Sequence, residues 1–189
     1  MLFRSMLAWS SQVGYDLSDD AVAGMALRPA TSAAASALVV KAEPGAGTFS
    51  LAAPRCLIAS GPHMTPVVHP AGIVITFPSA AASTLMLVPL DKAPLATSEK
   101  LWLCAVSRSD NPDMVWNAAR TSVGNQWGNG PTLTLGVNAT VTLPEGTSWK
   151  VEALSSTGQP MATVAEKTRS FSLDPAQKTV WWLLTRQSK

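Results

Sequence analysis

The chain predicts an all-β fold, an antiparallel β-sandwich of the Ig-like or jelly-roll-like kind preceded by a short helical remnant. Three observations carry this. From Leu38 onward, short segments with period-2 apolar alternation recur between turn signals. The 189 residues include 14 Pro and 12 Gly, a turn-rich composition that suits many short strands. Charged residues form only 14% of the chain, against about 25% in a typical soluble domain. Such a weakly charged, Thr-, Ser- and Ala-rich chain also suits an extracellular bacterial setting.

Residues 1–37 lack β alternation and read as the remnant of a preceding domain or linker. Leu17-Ser18-Asp19-Asp20 is placed to cap a short helix over Ala21 to Leu27, and Pro29 stops it because a proline disfavours helical geometry in the residue before it. Alone, such a helix buries little, so it is expected to dock on a neighbouring domain. Met1 to Ser5, Met-Leu-Phe-Arg-Ser, is what a GTG start followed by the sequencing-adapter end CTC TTC CGA TCT encodes. These five residues are therefore expected to be an artefact, and the reading frame to begin inside a larger protein.

Residues 38–189 read as the sandwich. Its first strands are expected at Leu38 to Lys41, Thr48 to Ala52, Cys56 to Ser60, Gly72 to Phe77 and Thr84 to Val88. Gly45-Ala46-Gly47 is a hairpin loop, and Phe49 and Leu51 share a face because strand side chains alternate. A second group follows at Lys100 to Ser107, Leu133 to Leu143, Trp149 to Leu154, Arg169 to Leu173 and Thr179 to Thr185. Leu101, Leu103 and Ala105 line one face of its first member; Val137, Ala139, Val141 and Leu143 line one face of the next. Turns fall at Pro144 to Gly146, Ser156 to Gly158 and Asp174 to Ala176. Trp181 and Trp182 are adjacent in a strand and must point to opposite faces. One is expected in the core, the other over a sheet edge or against a partner domain.

The order of several motifs is more specific than any one of them. GTFSLAAPR spans Gly47 to Arg55, LMLVPLDKAPLATSEKLWLCAVSRSDNPDMVWN spans Leu85 to Asn117, and RTSVGNQWGNGPTL spans Arg120 to Leu133. VNATVTLP, VEALSSTGQ and TVWWLLTR follow, from Val137, Val151 and Thr179. In this order the chain resembles the C-terminal β-sandwich accessory domain of large glycoside-hydrolase-like proteins of polysaccharide-degrading bacteria, over roughly Leu38 to Arg186. It departs from that pattern at Ala52-Ala53 and Pro112-Asp113. The resemblance implies a secreted or periplasmic, non-catalytic module whose partner is a catalytic barrel of the same polypeptide. The family's catalytic carboxylates belong to that barrel, so none is carried over.

Composition and spacing exclude several other classes. The 14 basic and 12 acidic residues, a formal net charge of +2, are scattered without runs, so nothing favours nucleic acid or anionic lipid. No apolar run reaches the roughly 18 residues of a membrane span. No cofactor signature is present. Glycoside hydrolysis needs two carboxyl groups about 5 to 9.5 Å apart; Asp110 and Asp113 share a loop, where aspartates ordinarily cap turns. His63 and His69 lie in a Pro-punctuated loop without acidic neighbours, short of the three or four ligands zinc requires. Ser/His/Asp catalysis lacks a nucleophile elbow. Cys56 and Cys104 have no metal spacing and are either buried thiols or one bridge between adjacent sheets.

The loop from Asn111 to Pro131 is different. Sugar rings present CH-rich faces that stack on indoles, and their hydroxyls need fixed amides. Trp116, Asn117, Asn125, Gln126, Trp127 and Asn129 offer both. They are the candidate carbohydrate-binding residues if the module binds polysaccharide by itself. The competing expectation is that Trp116 or Trp127 plugs the open end of the sandwich or docks on a neighbouring domain. A third expectation is a structural or adhesion domain.

Overall fold

The computed structural model describes residues 37–41, 47–62, 65–78, 81–119 and 121–188. In chain order the described strands are β1 (Ala37–Lys41), β2 (Thr48–Ala53), β3 (Cys56–Gly61), β4 (Val67–His69), β5 (Ile73–Thr76), β6 (Ser83–Pro89) and β7 (Lys100–Val106). There follow β8 (Ser109–Asp110), β9 (Leu133–Thr134), β10 (Ala139–Thr142), β11 (Ser148–Leu154), β12 (Pro160–Thr168), β13 (Ser170–Leu173) and β14 (Trp181–Gln187). A 3-10 turn at Pro175–Gln177 links the last two. Every pairing is antiparallel.

Two sheets share one core. The larger runs β1-β2-β3-β6-β7-β14-β11-β12, and the smaller runs β13-β10-β5-β4. From the large sheet, Leu57, Leu85, Leu87, Leu101, Leu103, Trp149, Val151, Trp182 and Leu184 point inward; Ile73, Ile75, Val141, Phe171 and Leu173 meet them from the small one. The alternation read from the sequence explains this: Leu101, Leu103 and Ala105 are fully buried, and the run Val137, Ala139, Val141 and Leu143 is buried too. Apolar area removed from water, at roughly 25 cal/mol per Å², is what holds the layers together.

The N-terminal helix expected over Ala21 to Leu27 and the Gly45–Ala46 part of the first hairpin lie outside the described residues. The strands flanking that hairpin are placed as expected, with Lys41 opposite Thr48. Three expectations need correction. Leu133 to Leu143 is two strands rather than one: β9 belongs to a small ribbon with β8, and β10 belongs to the small sheet. The break falls at Gly136, packed so tightly that an added Cβ would lie 2.8 Å from Pro175 Cα. Second, β12 was not expected. It is an edge strand with little buried side chain, it pairs with β11 through bulges, and Lys167 adopts φ 49 within it; an apolar period has no reason to exist there. Third, His69 is not in a loop.

His69 ends β4, and it is only 4% exposed. Its Nε2 stands 2.7 Å from the Ala53 carbonyl of β2, and its Nδ1 accepts the Ala71 amide at 3.0 Å. These contacts assign the Nε2–H tautomer, which ties the small sheet to the large one. Replacing His69 by alanine leaves buried backbone groups unpaired and is expected to cost about 1–3 kcal/mol. Urea unfolding followed by circular dichroism measures this, and an unchanged midpoint would contradict it.

The end of the core near the β2–β3 turn is closed by residues 90–99. Leu95 is fully buried and donates its amide to Pro54 O at 2.8 Å. Asp91 organises this loop, accepting from the amides of Glu99 and Ala93 and from the Ser98 hydroxyl, each at 3.0 Å. The Glu99 amide foremost holds its carboxyl below the usual carboxylate range.

Candidate functional site

Two surfaces concern function: the loop after β7 and the outer face of the large sheet. The loop hangs from the β8–β9 ribbon, in which Ser109 pairs with Thr134 and Asp110 with Leu133. Its two limbs are laced by backbone bonds from Val115 N to Gln126 O at 3.2 Å, Asn117 N to Ser122 O at 2.9 Å and Asn129 N to Pro112 O at 2.8 Å. Gly128 makes the crossing possible. Its φ is +67, and a Cβ there would meet the Pro112 carbonyl and lie 2.6 Å from Met114 N, so only glycine fits. Asp113 takes a left-handed φ of 60 opposite it. Asp110 is ion-paired with Arg108 at 2.6 Å. Both acids therefore serve loop geometry.

This lacing assigns different positions to the six residues read as carbohydrate candidates. Asn117 is spent on the tip: its Oδ1 accepts Thr121 N at 2.8 Å and its Nδ2 reaches Thr121 Oγ1 at 3.0 Å. Asn129 bonds within the loop and approaches Asp113 Oδ2 at 3.5 Å. Trp116 is half-buried. Asn125, Gln126 and Trp127 stand exposed together, Trp127 at 62%. Asn111 Nδ2 grips the Trp127 carbonyl at 2.9 Å, so the backbone is held while the indole faces solvent. Trp127 is thus not the plug of the sandwich.

The outer face of the large sheet, pointing away from the small sheet, is apolar over five strands. One cross-strand row runs Leu51, Ile58, Met86, Cys104, Trp181 from β2 to β14. A second places Val88, Trp102 and Leu183 side by side, and then meets Glu152 of β11. The rings of Trp102 and Trp181 lie 6.1 Å apart, tilted by 53°. A polar border surrounds the patch. Lys150 and Glu152 pair at 2.7 Å on β11, Ser60 and Thr84 hydroxyls meet at 2.7 Å at one end, and Lys100 opposes Thr185 at the other.

Cys56 and Cys104 both sit on this outer face, on β3 and β7 with β6 between them. Two strand spacings of about 4.8 Å each exceed the roughly 7 Å that a disulfide spans between Cα atoms. Both thiols are free, and the alternative of a bridge between sheets is set aside. Burial pushes the Cys56 thiol up to about 11. Burial also raises Cys104, with the Trp181 indole beside it acting in the opposite direction.

Sequence reasoning found Trp181 but missed Trp102, Met86, Val88 and Leu183. The signal was present: in LMLV and LWLCAV both phases of the alternation are apolar, which describes a strand covered on both sides. A shallow depression of about 660 Å³ opens beside Trp181, lined by Thr134, Met161, Lys178 and Thr179 among others. It gathers no cluster of titratable groups. Among the described residues, no three His, Cys, Asp or Glu side chains converge as a metal site, and no helix is long and apolar enough to cross a membrane. Comparison with protein-family models, curated proteins and solved structures returned no match.

Proposed function

We propose that this chain is a non-catalytic accessory β-sandwich that docks through the outer face of its large sheet on a neighbouring domain, the catalytic barrel of a glycoside-hydrolase-like parent. The apolar patch centred on Trp102, Trp181 and Leu183 carries this reading. A sheet face left to solvent normally alternates to polar side chains. Here an apolar centre inside a polar border reproduces the anatomy of an interface, with two tryptophans of the kind that dominate binding energy at its middle. The nature of the partner rests on the motif order from Gly47 to Arg186, and secretion follows from the same resemblance. The test is association of this chain with a catalytic barrel encoded upstream of the same domain in a longer protein. A barrel that remains unbound, or an upstream sequence that encodes no barrel, would end the proposal.

A second reading is favoured by the exposure of Trp127 beside Asn125 and Gln126: a carbohydrate-binding module acting through the loop tip. On this reading, glycan-array binding by the isolated chain is expected to fall by roughly tenfold or more in Trp127→Ala, since an exposed aromatic platform is worth about 1–3 kcal/mol. Binding that survives the substitution would refute it.

A further inference from the structure

We propose that the depression beside Trp181 is a binding subsite for one acidic sugar unit, carboxylated or sulfated, of a polysaccharide chain. That the ligand is a sugar rests on the polysaccharide reading above; that it is acidic rests on the side chains gathered here.

The hollow lies where the ends of β11 and β14 meet the chain between β9 and β10, and its walls are held by bonds within the fold. Thr179 fixes one wall. Its hydroxyl donates to Leu154 O at 2.6 Å and accepts the Trp181 amide at 3.0 Å, so the start of the strand carrying Trp181 is tied to the end of β11. Ser155 fixes the next: its hydroxyl accepts the Gln159 amide at 3.1 Å and holds the turn into β12, where Met161 stands 50% exposed. A third part of the lining is Gly136, pressed against Pro175. The volume of about 660 Å³ falls within the roughly 300–1,000 Å³ of small-molecule sites. Being shallow, the hollow leaves room for the neighbouring units of a polymer to run out of it.

Its chemistry suits an amphipathic ring that carries a negative charge. Leu154, Met161, Val180 and Trp181 give apolar walls, and the CH-rich face of a pyranose stacks on an indole. Thr134 and Ser156, both exposed, bring hydroxyls that donate one bond and accept others, as ring hydroxyls require. Lys178 selects the acid. Among the described residues it is the one charged side chain of the lining, and it makes no ion pair. It holds a left-handed φ of 51 at the end of the 3-10 turn, a position usually given to glycine or asparagine. A carboxylate or sulfate on the sugar complements this ammonium through a charge-assisted hydrogen bond. Trp181 belongs both to this hollow and to the outer apolar face, which puts the subsite beside the proposed contact with the barrel.

The test titrates the ¹⁵N-labelled full chain, without any partner, with methyl glucoside, methyl glucuronide and methyl glucoside 6-sulfate, which differ only at the sixth carbon. The Trp181 indole and Lys178 amide signals are expected to shift, with an acidic glycoside bound about fivefold more tightly than the neutral one, the upper worth of one exposed ion pair. The tighter of the two acids decides between carboxylate and sulfate. Lys178→Asn keeps a residue that tolerates the left-handed backbone and is expected to abolish the preference, while Lys178→Arg keeps it. Met161→Glu sets a like charge on the wall and is expected to reverse it. Absence of binding, equal affinity for the three glycosides, or a preference that survives Lys178→Asn would each overturn the proposal. Shifts confined to Trp127 and its loop would also overturn it, and would support the loop-tip reading instead. Since no barrel is present, none of these results bears on docking.

Discussion

Replacing Trp182 by alanine is expected to cost about 3–5 kcal/mol of folding stability, the range for removing a large aromatic from a packed core. Trp182 is 1% exposed and sits in the middle of the large sheet, opposite Leu103 of β7 and Ala153 of β11. Its indole also donates to Gln177 Oε1 at 2.9 Å, and Gln177 in turn holds Ser172 O at 3.1 Å. The side chain thus fills the core and pins the 3-10 turn that connects β13 to β14. Against a total of about 5–15 kcal/mol for a domain, the loss is a large fraction. Trp182→Phe keeps most of the packing and loses the hydrogen bond, so about 1–2 kcal/mol is expected. Chemical unfolding followed by far-UV circular dichroism orders the variants; a loss below about 1 kcal/mol for the alanine variant would contradict the core assignment.

Its neighbour Trp181 is expected to behave oppositely. The double variant Trp102→Thr, Trp181→Thr removes two half-buried aromatics from the outer face while keeping residues that favour strands. Stability falls by only about 1–2 kcal/mol, chiefly through the lost ring pair and its partial burial. Association with the partner domain is expected to weaken by about 100-fold or more, because central interface aromatics are each worth about 2 kcal/mol. Isothermal titration against the catalytic barrel of a protein that carries both domains reads this directly. Unchanged affinity with an intact fold would remove the outer face from the interface.

The contrast between these adjacent residues also shows what the amino-acid order can and cannot specify. That they face opposite sides follows from strand geometry alone; which of them is core does not, because Leu183 and Leu184 make both phases apolar, and it is decided by the burial of Trp182 and Leu184 between the sheets. The inward face of β10 was legible because its Ala139 and Val141 alternate with threonines, and strict alternation leaves one choice of inward side; β7 is apolar in both phases and leaves two. The edge strand β12 was not legible, because exposure on both faces removes any apolar period. Short β4 was hidden by Pro66 and Pro70, which read as loop punctuation while Val67 and His69 are buried between them. The run from Leu133 to Leu143 kept its alternation past the point where the chain changes sheets, since period says nothing about partners.

For the candidate sites the limit is of another kind. The indole and amide composition of the loop was visible, but the exposure of Trp127 depends on the bonds from Asn111 and on the fit of Gly128 against Pro112, contacts sixteen residues apart in sequence. The outer face was obscured by being apolar in both phases. Such a strand reads as buried on two sides, and only the placement of the small sheet reveals which side is left for something else to cover.

The central claim, that the Trp102 and Trp181 face docks on a neighbouring domain, is tested most directly by hydroxyl-radical footprinting. Oxidation of Trp102, Trp181 and Trp127 is compared between the isolated chain and the same domain in a polypeptide in which the proposed catalytic barrel precedes it. Docking predicts that Trp102 and Trp181 are protected about fivefold or more in that polypeptide, as groups at a water-excluding interface centre are, while Trp127 is oxidised equally in both. Equal oxidation of Trp102 and Trp181 in the two contexts, or protection confined to Trp127, would contradict it.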